Sequence, residues 1–105
     1  MTKMVKELTR RALDWAVATA EGYSRDFRME TWEEPPIRLY STEWSDGGPI
    51  IESNGLSIKL SEVDGEWHAD KVGIGGRGPT PLIAAMRCYA LWRLGDEIDV
   101  PEIYA

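Results

Sequence analysis

The sequence GGRGPTPLI, residues 75–83, decides how the C-terminal half of this chain is organised. Three glycines and Arg77 precede Thr80-Pro81, and an apolar pattern typical of a helix follows directly. Threonine is a good N-cap, and proline suits the first helical position because an N–H there would have no intrahelical acceptor. The stretch therefore predicts a glycine-rich turn that leads into a helix starting at Pro81.

The same helix start is a candidate anion site. The first amides of a helix carry unpaired N–H groups and a partial positive charge, and anions bind at such places. Arg77 adds a planar fork suited to phosphate or carboxylate. Two interpretations stay open: Thr80 only caps the helix while the glycines turn the chain, or Gly78, Thr80 and the amides of Leu82 and Ile83 hold an anion. Capping is the commoner role, and the spacing matches neither a P-loop nor a dinucleotide fingerprint.

Two long helices are predicted at the ends of the chain. Residues 8–22 place apolar side chains at three- and four-residue steps, with Thr9 as a possible N-cap and Asp14 on the solvent side. The second helix covers residues 81–94 and ends at Gly95. The acidic tail after it carries apolar side chains that could pack back onto the domain or onto another copy.

Strand patterns lie between the helices. Residues 37–41 alternate in character and predict a short strand, and residues 49–53 predict a short helix that begins at a proline. Residues 56–60 and 66–72 predict an antiparallel pair, because Asp64-Gly65 between them is a strong hairpin signal.

These elements predict one α+β domain over residues 1–105, in which a small antiparallel three-stranded sheet packs with the N-terminal and C-terminal helices and a short middle helix. The chain is 43% hydrophobic and has five tryptophans, which is enough for a core without disulfides or metals. Its single cysteine fits a reducing cytosol. We expect neither a signal peptide nor a membrane span, because no apolar run reaches roughly 20 residues.

The formal net charge of -6 argues against sequence-independent binding to nucleic acid, because a duplex-binding domain must neutralise phosphates. Catalysis has little support in the sequence. His68 is the only histidine, so a histidine metal cluster cannot form, and a surface position on a strand suits it. Cys88 lies among apolar helix residues, where a buried inert thiol is expected. We therefore predict no metal, no cofactor and no catalytic residue.

Aromatic and basic side chains supply further candidate ligand contacts. Trp44 stands beside the hydroxyl of Thr42 and could stack on a ring, and Trp67 could do the same. The alternative is a structural corner, because tryptophans more often fill the core. Arg87 on the last helix could line a pocket or form ion pairs with the tail acids.

Three long segments carry a family resemblance: LTRRALDWAVATAEGY, STEWSDGGPIIESNGLSI and GPTPLIAAMRCYALWRLGDEIDVPE. They resemble the NinX-like family of small accessory proteins of tailed phages, classed as a domain of unknown function. They are also similar to phage alpha-beta-alpha sandwich proteins, which share a Ser-Thr corner and a G-x-T-P helix entry. The resemblance covers nearly the whole chain. It implies a phage origin and expression in the host bacterial cytoplasm, and it supplies no catalytic residues.

The leading functional hypothesis is a non-enzymatic protein that sequesters a small anionic ligand derived from a nucleotide, such as a bacterial immune signal. This anti-defence role is an analogy with other small phage proteins. We expect a homo-oligomer, since ligand sites often form between subunits, and no direct contact with membrane or nucleic acid. The alternative is a protein-interaction module that inhibits a host enzyme or mimics nucleic acid. Hydrolase or transferase activity is the least favoured class.

Overall fold

The computed structural model describes residues 2–22 and 38–104 of the 105-residue chain. Within these ranges the chain forms three α-helices and five β-strands. The helices are α1 (Arg10–Ala20), α2 (Trp44–Asn54) and α3 (Pro81–Leu94). The strands are β1 (Thr2–Met4), β2 (Ser57–Leu60), β3 (Trp67–Lys71), β4 (Ile74–Gly78) and β5 (Glu97–Asp99). No helix in the described ranges is both long enough and apolar enough to cross a lipid bilayer.

The strands form two antiparallel sheets, which confirms the α+β class. The larger sheet has the order β2-β3-β4, and the smaller one pairs β1 with β5. The predicted pair of strands around Asp64-Gly65 is confirmed as β2 and β3. A two-residue turn, Val72-Gly73, joins β3 to β4 with φ values of 43° and 87°. Positive φ at both positions is the type I′ geometry that matches the twist of paired strands.

The predicted strand over residues 37–41 is wrong where the structure describes it, from residue 38 onward. Residues 40–42 form a turn, in which the Leu39 carbonyl accepts from the amides of Thr42 and Glu43. The Ser41 amide donates to Asp14 Oδ1 at 2.8 Å rather than to a neighbouring strand. The apolar and polar residues that alternate in the sequence therefore belong to a turn whose middle residues are buried.

The middle helix is confirmed, but it begins five residues earlier than predicted, at Trp44. The amides of Asp46 and Gly47 both donate to the Glu43 carbonyl, which starts the helix before its proline. Gly47 packs so closely that an added Cβ atom would lie 2.6 Å from Leu82 Cδ1. Gly55 ends the helix in a left-handed conformation, as its sequence predicted.

The glycine-rich run before α3 is a strand, β4, and not the turn that its glycines predict. An added Cβ atom at Gly76 would lie 2.5 Å from Ala84 O and 2.8 Å from Cys88 Cα. An added Cβ atom at Gly78 would lie 2.7 Å from Ile83 Cγ2. Glycine is therefore required at both positions, because the strand lies directly on the backbone of α3.

Helix α3 forms the centre of the fold. It packs against all three strands of the larger sheet on one side and against α1 on another. A helix placed between two layers must be apolar around most of its circumference. Its buried residues are Leu82, Ala84, Ala85, Met86, Cys88, Tyr89 and Ala90. The sheet is therefore covered mainly by α3, and α1 forms a further layer on α3.

Helix α1 is more buried than its pattern predicted, and Asp14 is not on the solvent side. Asp14 is only 4% exposed, and its carboxylate accepts a hydrogen bond from the Ser41 amide of the neighbouring turn. Desolvation by this burial raises the pKa of Asp14 above its ordinary value. The buried carboxylate therefore ties α1 to the turn that precedes α2.

The acidic tail packs back onto its own domain. Strand β5 pairs with β1, and Val100 and Tyr104 are buried in the core. The ring of Tyr104 stacks on Trp15 of α1 with a centroid distance of 6.3 Å. The two ends of the chain are therefore held together by both backbone and aromatic contacts.

Replacing Gly76 with Ala should reduce the free energy of unfolding by about 3 kcal/mol, because the new methyl group would overlap the α3 backbone. The matched control is Gly75→Ala, where the nearest atom to the new Cβ is Ala69 O at 3.7 Å. We expect that control to stay within about 0.5 kcal/mol of the parent protein. Urea unfolding measures both variants. Equal losses would mean that β4 is not pressed against α3.

Candidate functional site

The start of α3 is capped by the chain itself. Thr80 Oγ1 accepts a hydrogen bond from the Ile83 amide at 3.1 Å, and the Ala84 amide donates to the Thr80 carbonyl. Pro81 has no N–H group. Among the first four residues of α3, only Leu82 has an N–H group left for a ligand, and the Leu82 side chain is buried. These contacts agree with the capping interpretation of Thr80.

Arg77 lies on the face of β4 that points away from α3, because Gly76 and Gly78 on either side of it face the helix. Its Nη2 atom is 2.6 Å from Asp64 Oδ2 and 3.2 Å from Glu66 Oε1. The structure therefore does not bring this guanidinium to the α3 start. An anion site shared by Arg77 and that helix start stays a prediction, and these contacts do not favour it.

The two candidate tryptophans lie in different surroundings. Trp67 faces α3 opposite Gly78 and packs against the core, so its ring is partly buried. Trp44 is the first residue of α2 and is 55% exposed. Thr42 lies in the turn before it and uses its amide to bond Leu39 O. A stacking role for either ring stays a prediction, and only Trp44 offers a largely open face.

Arg87 connects three parts of the fold. Its Nε atom donates to Leu8 O at 2.9 Å, and its Nη1 atom donates to Arg77 O at 2.7 Å. Desolvation lowers the pKa of this guanidinium from its ordinary value. Both acceptors are backbone carbonyls, so Arg87 ties α3 to the edge of β4 and to the segment before α1. These contacts describe a structural tie, and the ligand role predicted for Arg87 has no geometric support from them.

Asp64 organises the outer end of the β2–β3 hairpin. One carboxylate oxygen accepts from the Glu66 amide at 2.9 Å, and the other lies 3.1 Å from His68 Nε2. These hydrogen bonds, first of all the one from the Glu66 amide, lower the pKa of Asp64 to about 2. The carboxylate therefore stays ionised at neutral pH and orients both His68 and Arg77.

Cys88 is fully buried in α3, as its sequence surroundings predicted. Its Sγ atom lies 3.2 Å from Ile74 O, and burial raises the pKa of the thiol to about 11. The side chain is therefore a neutral thiol at pH 7, which is a poor state for a nucleophile.

The start of α1 contrasts with that of α3. Thr9 has almost the same backbone conformation as Thr80, with φ -135° and ψ 159° against -130° and 156°. Only Thr80 makes a side-chain cap bond. The first amides of α1, which have no intrahelical acceptor, therefore lack the cap that serves α3.

A cavity of about 570 Å³ opens at this α1 start. Among the residues that the structure describes, its charged lining consists of Lys3, Arg10 and Arg11 against the single carboxylate of Glu7. The guanidinium of Arg11 lies 5.3 Å from the centroid of the Tyr104 ring. The exposed apolar side chains of Met4 and Ile103 also line the cavity. We call this the α1 cavity, and it combines an excess of positive charge with an apolar wall.

Local sequence patterns do not predict the α1 cavity, because it is built from segments that pairing of the chain ends brings together. A signal was nevertheless present in the sequence. Arg10 and Arg11 occupy the first two positions of α1, where the helix dipole disfavours cations. Two arginines at that place are electrostatically unfavourable unless a carboxylate or another anion lies nearby.

The fold is that of a small α+β protein: a three-stranded sheet backed by a central helix, with a cavity at the start of α1. Residues 4–93 match the model of the family described as Bacteriophage P22, NinX. The chain therefore belongs to the NinX family of phage proteins, as its resemblance implied. No curated protein matches the chain.

Replacing Thr80 with Ala should reduce the free energy of unfolding by about 1 kcal/mol, because α3 loses its cap. The same replacement at Thr9 should change it by less than about 0.5 kcal/mol, since that side chain caps nothing. Thermal and urea unfolding of the two variants provide the comparison. A larger loss at Thr9 than at Thr80 would contradict the assignment of open and closed helix starts.

Proposed function

We propose that this phage accessory protein binds and sequesters a small anionic ligand derived from a nucleotide, without catalysing its conversion. The observation that carries the proposal is the charge of the α1 cavity, where the described lining places Lys3 and Arg10 beside the one carboxylate of Glu7 in a protein of net charge -6. Such a local excess of positive charge raises the concentration of anions at the cavity.

Both halves of a nucleotide find suitable groups in the α1 cavity. Phosphate oxygens would lie against Lys3 and Arg10, at a helix start where Thr9 makes no side-chain cap bond. A base or another flat apolar group would lie against Met4 and Ile103, which are 38% and 46% exposed. The volume of about 570 Å³ is within the range of small-molecule sites.

The most reactive side chains support binding rather than catalysis. Cys88 is a buried neutral thiol, and His68 is held by Asp64 on the far face of the sheet. We therefore expect a bound ligand to be recovered unchanged. The host cytoplasm remains the proposed location, and a homo-oligomer remains the proposed assembly.

The test is a binding experiment with cyclic dinucleotides, ADP-ribose derivatives and NAD, measured by thermal shift and then by calorimetry. A true ligand should raise the Tm, because it binds the folded state alone. The double variant Lys3→Gln, Arg10→Gln should weaken its Kd about tenfold, since each cation at an exposed site contributes up to about 1 kcal/mol. Chromatography of the released ligand checks that it is unchanged, and a sizing column gives the assembly state.

Two controls make this result specific. Lys6→Gln removes an exposed cation from the same segment that does not line the cavity, so the Kd should not change. Arg77→Ala tests the sequence-based site. If Arg77→Ala loses binding while the Lys3 and Arg10 variant binds fully, the ligand binds outside the α1 cavity. A panel in which no compound raises the Tm would contradict sequestration of these nucleotides.

A second candidate function is protein interaction, and exposed apolar side chains favour it. Leu39 and Trp44 are 50% and 55% exposed on an acidic chain, where they could contact a basic host protein. A host lysate passed over the immobilised protein should then yield one enriched partner, and Trp44→Ala should lose it while keeping the parent Tm. Capture that is unchanged by this variant would contradict an interface at Trp44.

A further inference from the structure

The face of the larger sheet that points away from α3 carries a groove of about 580 Å³. Side chains on alternate residues line it, because strand residues alternate between the two faces of a sheet. They come from all three strands of the sheet and are Ser57, Lys59, His68, Asp70 and Arg77, with Gly75 leaving one position open. We call this the sheet groove. It is separate from the α1 cavity and shares no lining residue with it.

Strand register arranges these residues in two rows across the sheet. Lys59, His68 and Arg77 are direct cross-strand neighbours and form a basic row. Ser57, Asp70 and Gly75 form the next row, with Asp70 in the middle. The rows are two residues apart along β3, or about 7 Å. The groove follows β3 because Ser57 and Gly75 on both sides of Asp70 are small.

The two ends of this groove have polar groups available for a ligand. Within residues 2–22 and 38–104, neither Lys59 nor Asp70 has an ion pair. Arg77 makes both of its carboxylate contacts through Nη2, so its Nη1 and Nε donors are left over. A group above His68 could therefore reach Lys59 and Arg77, while a group above Asp70 could reach a carboxylate.

The local charge balance decides which ligand class fits. Lys59 and Arg77 supply two positive charges, whereas Asp64, Glu66 and Asp70 supply three negative ones. A ligand that is only anionic would meet a slightly negative neighbourhood, in contrast to the α1 cavity. A ligand with opposite charges at its two ends satisfies both rows without adding net charge.

We propose that the sheet groove binds a small zwitterion lying along β3, with its carboxylate or phosphate above His68 and its ammonium above Asp70. Lys59 and Arg77 hold the anionic end from the two sides. Asp70 accepts from the ammonium and thereby selects against ligands that carry negative charge at both ends. This proposal is independent of the function proposed for the α1 cavity.

The experiment uses the full chain and three probes of one chain length: 5-aminopentanoate, pentanoate and n-pentylamine. The zwitterionic probe should shift the NMR amide signals of Ser57 and Gly75 and bind about fivefold more tightly than either singly charged probe. In Asp70→Asn, 5-aminopentanoate should bind no more tightly than pentanoate. In Lys59→Gln, the affinity of 5-aminopentanoate relative to that of n-pentylamine should fall. Glu62→Gln, which removes an exposed carboxylate outside the groove lining, is the matched control and should change nothing.

Well-dispersed spectra of each variant confirm that it is folded. The proposal is overturned if the zwitterion binds no better than the singly charged probes, or if none of the three shifts the groove signals. It is also overturned if Asp70→Asn keeps the full preference for the zwitterion.

Discussion

The contact between the backbone of β4 and the backbone of α3 is the constraint on which the rest of the structure depends. Gly76 and Gly78 have no side chain between strand and helix, so the two backbones approach to a distance that excludes a Cβ atom. Strand alternation then forces Arg77 to the opposite face. The same approach brings the chain to Thr80 in position to cap α3. The close packing of β4 on α3 therefore sets both the direction of Arg77 and the capping of α3 by Thr80.

The two helix starts show how a similar local sequence leads to different chemistry. Thr9 and Thr80 share an extended backbone conformation, yet only Thr80 turns its hydroxyl toward its own helix. Pro81 follows Thr80 and holds the first turn in place, whereas Arg10 follows Thr9 and has a φ of +50°. At the α3 start, the Thr80 side chain already accepts from a first-turn amide. We therefore place the proposed anion site at the α1 start, beside Lys3 and Arg10.

The two recesses of this acidic protein differ in their local charge. The α1 cavity has more cations than carboxylates, whereas the sheet groove has nearly balanced charges. The net charge of the whole chain excludes neither of these local charge patterns, because a charge acts mainly within a Debye length of roughly 10 Å. The buried Asp14 belongs to neither recess, since its carboxylate is used to hold the turn before α2.

The sequence by itself determined the elements that follow local rules. Periodicity and the Thr80-Pro81 start placed α3, and Asp64-Gly65 placed the β2–β3 hairpin, because capping and turn chemistry act over a few residues. The tertiary structure alone decided the role of the glycines in β4, since a glycine needed for close packing looks the same in sequence as one needed for a turn. It also decided the pairing of β1 with β5 and the cross-strand neighbours of His68. Both depend on residues far apart in the chain, whose contacts no local pattern records.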